Sequence, residues 1–155
     1  MNFTGICHND YDEFHKLATA YYREGEDKDT PAEEVDSFIK FLFEKVSSNE
    51  INGHFAQDGT KHIGFALWTI DTEDFSSSEM IGLGTILEIG LIPSYRASGI
   101  GKDFVLYIEN CLRTQGIKQC YVSAYGPAQK FWARCGYTES GKTASNGLPI
   151  MIKNL

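Results

Sequence analysis

Apolar positions recur along this chain with two different periods, and the changes of period mark out its elements. In NDYDEFHKLATAYY, the residues Phe14, Leu17, Ala18 and Tyr21 fall at helical spacing behind Asp10 and Glu13, which are spaced as a capping pair. A first helix is expected there, after a short strand at NFTGIC. In TPAEEVDSFIKFLFEKV, the residues Val35, Phe38, Ile39, Leu42 and Val46 form one apolar stripe. Thr30 is the N-cap candidate of this second helix, with Pro31 at its first position and Glu33 three residues after the cap. The period then shortens. INGHFAQ and KHIGFALWTI read as strands joined by DGT, whose Asp58-Gly59 pair signals a tight turn. The polar DTEDFSSSE reads as a loop, and GLGTILEIGLI as a central strand apolar enough to be buried on both faces.

After PSYRASGIGK, the residues Phe104, Val105, Ile108, Cys111 and Leu112 mark a third helix that ends near Gly116. KQCYVSA is a fifth strand, and PAQKFWARCG a short fourth helix stopped by Gly136. YTES and LPIMIK are the last strands, around an Asn146-Gly147 turn. No repeat or linker interrupts this order. With 155 residues, 42% hydrophobic and 13% aromatic, the chain is expected to form one domain, residues 1–155, around a single core.

Composition narrows the function classes. No apolar run approaches the ~20 residues that cross a bilayer, and MNFTGICHND lacks the basic start and long apolar centre of a secretory signal. A soluble, cytoplasmic protein without membrane contact is expected. Cys7, Cys111, Cys120 and Cys135 include no C-x-x-C pair and no metal-ligand spacing with histidine, so free thiols and no metal are expected. The net charge of −7 lies wholly in residues 1–50, with twelve acidic side chains against five basic, while residues 51–155 carry nine of each. A generic nucleic-acid binder would carry a basic surface instead. Trp68, Phe65, Tyr107 and the scattered His8, His15, His54 and His62 read as core or surface residues.

Between the apolar strand and the third helix lies RASGIGK, residues 96–102. Glycines permit positive φ and close backbone approach, and the first turn of a helix offers unpaired N–H groups, so such a loop can cradle a pyrophosphate. A Walker loop would need glycine at Arg96, and a dinucleotide fingerprint would need one at Phe104, so both readings fail. The pattern that remains is Gln/Arg-x-x-Gly-x-Gly/Ala, filled by Arg96, Gly99 and Gly101, with Pro93 three residues before the arginine. With the strand LEIGLIP before it and A-x-x-F-W-x-x-x-G-Y at 128–137 after it, the sequence resembles the GNAT superfamily of acyl-CoA-dependent N-acetyltransferases over most of its length.

The resemblance implies an α/β (α+β) GNAT fold, a central mixed, mostly antiparallel sheet of about six to seven strands with about four helices on its faces. It implies that backbone groups of Leu91 and Ile92 pair with the pantetheine arm of acetyl-CoA, and that amides of Ala97, Ser98, Gly99, Ile100, Gly101 and Lys102 cup its pyrophosphate. Gly99 and Gly101 are either functional or only turn-shaping. Arg96 and Lys102 either meet a phosphate or stay solvated.

Amide formation needs a neutral amine beside the thioester, a donor for the oxyanion, and a proton for the thiolate. The family-implied oxyanion donor is a backbone N–H near Leu91. Glu88 is the only charged side chain between Met80 and Arg96, and it interrupts an apolar strand. It is read as a general base, as a binder of the acceptor's ammonium, or as a structural charge. Many members of the family protonate the thiolate with a tyrosine where this chain has Trp132, following Phe131. Tyr125 is the replacement candidate, with Tyr137 and water as alternatives; a thiol of pKa about 8.5 also leaves readily as the anion.

The connection REGEDKDTPAEEVD carries Glu24, Glu26, Asp27, Asp29, Glu33, Glu34 and Asp36 against Arg23 and Lys28. On the acceptor side of the resembled fold, such a rim favours cationic acceptors; the other reading is a solvated helix start. The expected function is therefore transfer of an acetyl group from acetyl-CoA to a primary amine by a monomer or homodimer. A weakly catalytic acyl-CoA-binding regulator and an interaction module without a CoA site are the alternatives. No motif names the acceptor.

Overall fold

The computed structural model describes residues 1–25, 27–72 and 80–155. Among these the elements run β1 (Asn2–Gly5), α1 (Tyr11–Glu24), α2 (Ala32–Ser47), β2 (Asn52–Asp58), β3 (Lys61–Ile70), β4 (Gly84–Leu91), α3 (Ile100–Thr114), β5 (Gln119–Ser123), α4 (Gln129–Arg134), β6 (Thr138–Thr143) and β7 (Pro149–Asn154). The seven strands form a mixed sheet in the order β1-β2-β3-β4-β5-β7-β6. β1 pairs antiparallel with β2, β4 parallel with β5, and β7 antiparallel with both β5 and β6. This is the α/β architecture the sequence implied, with the apolar fourth strand at the centre of the order. Most of the expected DTEDFSSSE loop, residues 73–79, lies outside the described residues.

The chain divides into two compact units, Met1–Leu67 with Glu88–Gly101 and Trp68–Leu87 with Lys102–Leu155. In the first, α1 buries Phe14, Leu17, Ala18 and Tyr22, and α2 buries Val35, Ile39, Leu42, Phe43 and Val46. These side chains share a core with Phe55 and Phe65 from β2 and β3. Aromatic rings organise it: Phe14 meets Phe65 edge-on at 5.4 Å between centroids, a geometry favoured by the ring quadrupoles. Phe38, expected in the α2 stripe, stands at its margin and is 42% exposed, while Phe43 takes the buried place. At about 100° per residue the buried face is as wide as the expected stripe but is turned toward residue 43 and away from residue 38.

Both expected N-caps behave differently. Asp10 precedes α1 but caps it with no side-chain bond; its Oδ2 accepts instead from the Cys7 amide at 2.7 Å. At α2 the cap position falls on Pro31, and the Thr30 hydroxyl donates to Asp27 Oδ1 at 3.2 Å. In each case a nearer turn competes for the short polar side chain. The Asp58-Gly59 turn forms as expected, with Gly59 at φ +60°.

In the second unit, α3 buries Phe104, Val105, Ile108 and Leu112, and also Glu109. Glu109 accepts two bonds from Lys153 Nζ on β7, at 2.9 and 2.8 Å, and the same ammonium donates to the Cys135 carbonyl at 2.8 Å, just past α4. Among the described residues Cys7 is exposed, Cys111 half-buried, and Cys120 and Cys135 buried, all as free thiols. No helix among them is long and apolar enough to cross a membrane.

Candidate active site

The apolar fourth strand is not buried along its whole length. Gly84, Thr85 and Ile86 are buried, Leu87 is exposed, and Glu88, Ile89, Gly90 and Leu91 are half-exposed. The change follows the pairing, because the ladder to β5 covers Gly84–Cys120 and Thr85–Tyr121. The expectation of burial on both faces therefore holds only for the first three residues. This leaves the carboxylate of Glu88 at a half-exposed position on a strand.

Glu88 is met from α1. The Tyr21 hydroxyl donates to Glu88 Oε2 at 2.8 Å. Residues 88 and 90 lie on one face of β4, since strand side chains alternate. Gly90 makes room for the tyrosine: a Cβ there would come within 2.5 Å of Tyr21 Cδ2. The ring is also held edge-on by Phe65, at 5.5 Å and 84°. The neighbouring Tyr22 hydroxyl is buried and has no hydrogen bond among the described residues, at the usual geometry. Burial first, and then the nearby charge of Glu88, push its pKa well above the ordinary tyrosine value. Tyr21 read as core in the sequence. Its polar end could be found only through the strand, where a glycine follows the glutamate by two residues.

The loop after β4 is built on backbone bonds. Pro93–Tyr95 form one tight turn, the Arg96 amide donates to the Pro93 carbonyl, and the Ser98 hydroxyl donates to the Tyr95 carbonyl at 2.7 Å. Ala97 and Gly99 both have positive φ, +59° and +91°. Such a conformation costs an L-residue of order 1–2 kcal/mol, so Gly99 answers a backbone requirement, and Ala97 carries the smallest side chain that incurs it. Residues 96–99 are exposed, and α3 begins at Ile100, so Ile100, Gly101 and Lys102 form its first turn. Their N–H groups belong to the set that a helix leaves without intrahelical acceptors.

Arg96 turns back on the strand. Its Nε donates to the Leu91 carbonyl at 2.8 Å and its Nη2 meets Glu24 Oε2 at 2.6 Å. The Ile92 amide donates to the Ile63 carbonyl at 2.8 Å. Thus the Leu91 carbonyl and the Ile92 N–H, both among the groups the resemblance gives to pantetheine, already have protein partners. A cavity of about 20 Å³ lies beside them, lined by Tyr21, Glu24, Gly64, Gly90, Ile92 and Arg96 among others.

The remaining candidates are distributed as follows. Tyr125 is exposed, at the start of the turn before α4. Tyr137 is only 2% exposed, and burial first, then Cys120, pushes its pKa up. Trp132 is buried edge-on to Tyr137 at 5.2 Å, so the indole fills core volume. In the acidic connection, Glu24 is paired with Arg96 and Asp36 with His15 at 2.9 Å; Glu26 lies outside the described residues. Asp27 and Glu34 line a cavity of about 290 Å³ together with Tyr22, Thr30, Val35 and Phe38. Among the described residues, no three His, Cys, Asp or Glu side chains are grouped to hold a metal ion.

Residues 50–139 match the acetyltransferase (GNAT) domain, and the chain belongs to that family of acyltransferases. Solved structures agree in fold. PaiA N-acetyltransferase from Thermoplasma acidophilum, in complex with coenzyme A, is 18% identical, with 100% of both chains covered and a TM-score of 0.75. A GCN5-related N-acetyltransferase from Ralstonia eutropha is 22% identical over 93% of this chain and 96% of its own, with a TM-score of 0.75. An aminoglycoside 6'-N-acetyltransferase complexed with coenzyme A is 15% identical over 99% and 97%, with a TM-score of 0.71. No curated protein sequence matches the chain.

Proposed function

We propose that this protein moves an acetyl group from acetyl-CoA to a primary amine that carries further positive charge, and that residues 1–155 act as one catalytic domain. The observation that carries the reading is Glu88, a carboxylate on the half-exposed end of an otherwise apolar strand, hydrogen-bonded at 2.8 Å by Tyr21. Glu88 takes a proton from the acceptor's ammonium, directly or through water. The neutral nitrogen then attacks the thioester carbonyl. A C–N bond forms, a backbone N–H near Leu91 stabilises the oxyanion, and the C–S bond breaks as the tetrahedral intermediate collapses. As it collapses the nitrogen gives up its second proton to water, and the thiolate gains one from Tyr125, which water reprotonates, or from water directly. No covalent enzyme intermediate is needed, so the four cysteines have no part.

The co-substrate's pyrophosphate is assigned to the amides of Ala97 through Lys102. The exposed loop and the first turn of α3 support this, since both present backbone N–H groups and the helix start carries partial positive charge. Lys102 is exposed on that turn and would meet a phosphate directly. Arg96 would first have to part from Glu24. Gly99→Val tests the loop. Nothing lies within 4 Å of the Cβ position, so packing is spared, but the branched side chain resists φ +91°. The expected result is at least about tenfold weaker acetyl-CoA binding by calorimetry in a folded protein whose melting temperature falls by only a few degrees, the cost of the local strain. Equal affinity would move the pyrophosphate elsewhere.

The acceptor class is supported by the cavity that Asp27 and Glu34 line beside the rings of Tyr22 and Phe38, because carboxylates and aromatic faces both favour ammonium groups. The test is release of free CoA thiol across a panel of amines. Polyamines and other polycations are expected to be preferred, with kcat/KM falling as salt rises. A neutral or anionic preferred acceptor with no salt effect would overturn the assignment. A second reading, a regulator that binds acyl-CoA with little turnover, is permitted by Trp132 at the family's tyrosine position. Acetyl-CoA binding without thiol release from any amine would establish it.

A further inference from the structure

We propose that Tyr21 is a positioning residue for Glu88, and that Gly90 is the slot that lets it act. The proposal rests on the reading of Glu88 as the group that receives the acceptor's proton. Tyr21 reaches across from α1 to the strand, and its hydroxyl donates to Glu88 Oε2 at 2.8 Å. Three surfaces fix the ring. Phe65 meets it edge-on at 5.5 Å, Tyr22 edge-on at 5.0 Å, and Gly90 lies beneath it with no space for a Cβ. The glycine is therefore part of the device: two residues after Glu88 on the same strand face, it lets the aromatic ring lie against the backbone so that the phenol ends at the carboxylate.

A hydroxyl in this place does two things. It restrains the orientation of a side chain with three rotatable bonds, and it favours the ionised carboxylate, since an O–H donor binds the charged form better than the neutral one. Other titratable groups face the same locus within this unit. The Tyr22 hydroxyl lies next to Glu88 and feels its charge, and Asp27 on the connection to α2 acts on Tyr22 in the same direction. Glu24 and Arg96, which line the small cavity beside Tyr21, neutralise each other at 2.6 Å. Beside the buried Tyr22 hydroxyl, which also lies near the carboxylate, Tyr21 is the donor held at 2.8 Å, and it keeps Glu88 ready to accept a proton.

The sign follows directly. Without the hydroxyl the carboxylate loses a donor to its ionised form, so it protonates at higher pH, and an enzyme that needs it ionised loses activity on its acid side sooner. The experiment follows the Glu88 carboxyl carbon by NMR in protein labelled with carbon-13 glutamate, the resonance being assigned by its absence from Glu88→Gln. In Tyr21→Phe, which keeps the ring and its packing, the titration midpoint is expected to move up by about one pH unit. In Gly90→Ala, which keeps the hydroxyl but displaces the ring, the midpoint moves in the same direction. An unmoved midpoint in folded Tyr21→Phe overturns the proposal; movement there without movement in Gly90→Ala overturns the role given to the glycine. Acetyl transfer to spermidine as probe amine separates this from the parent reading. Transfer by Glu88→Gln at the wild-type rate refutes the function assigned to Glu88 and leaves the tether to be judged by its titration alone.

Discussion

Replacing Lys153 with methionine is expected to destabilise the protein by about 3–5 kcal/mol, the usual cost of leaving a buried charge without its partner. Glu109 is 0% exposed, and Lys153 Nζ supplies both of its short bonds, at 2.9 and 2.8 Å. Among the described residues Arg113 also comes near, at 3.7 Å from Glu109 Oε2, too far for a good hydrogen bond, so its compensation is partial. The ammonium also holds the Cys135 carbonyl at the end of α4, and its stem lies 3.3 Å from the Cβ position of Gly136, which has φ +93°. Loss of the lysine therefore frees a helix end as well as a carboxylate. Urea unfolding measures the cost, and the double variant Glu109→Leu with Lys153→Met is the control. An apolar pair avoids the unpaired charge, so the double variant should recover most of the single variant's loss. A single-variant cost below about 1 kcal/mol would mean that Arg113 swings in to replace the lysine.

That ion pair marks the limit of what local pattern can tell. The α3 stripe was legible from Phe104, Val105, Ile108 and Leu112, all of which are buried. Glu109 lies four residues after Val105 and so shares the buried face, yet its justification stands 44 positions away at Lys153. The same holds at the candidate site. The loop 96–102 could be read because its chemistry is contiguous: the positive φ of Gly99 and the helix start at Ile100 both follow from neighbouring residues. The partner of Glu88 is 67 positions away and that of Arg96 is 72. Neither pair leaves a periodic signal, and the one local hint, Gly90 two residues after Glu88, does not name the partner. Caps failed for the opposite reason, because several local bonds were equally available to Asp10 and Thr30, and nothing in the spacing ranks a turn above a helix start.

Gly64→Ala is expected to damage stability and site together, because its added methyl meets backbone where most such methyls meet the ends of side chains. The Cβ would fall 2.3 Å from the Gly90 carbonyl oxygen, 2.6 Å from Leu91 Cδ2 and 3.1 Å from Leu91 Cα. A side chain can rotate away, but a strand carbonyl can retreat only if β4 moves as a whole. Such overpacking costs roughly 1–3 kcal/mol. The shift falls on Gly90 and Leu91, the residues that support Tyr21 beneath its ring and accept the Arg96 guanidinium. Acetyl-CoA affinity is accordingly expected to fall by about tenfold or more along with the unfolding free energy. Gly53→Ala is the matched comparison: its methyl would meet Ile6 Cδ1 at 3.0 Å and Val46 Cγ1 at 3.1 Å, side-chain ends that can yield. It should lose less stability and keep its affinity. Calorimetric titration of acetyl-CoA into both variants decides the matter. Wild-type affinity in a measurably destabilised Gly64→Ala would mean that the end of β4 does not hold the pantetheine arm, and the co-substrate would then have to be held by the loop alone.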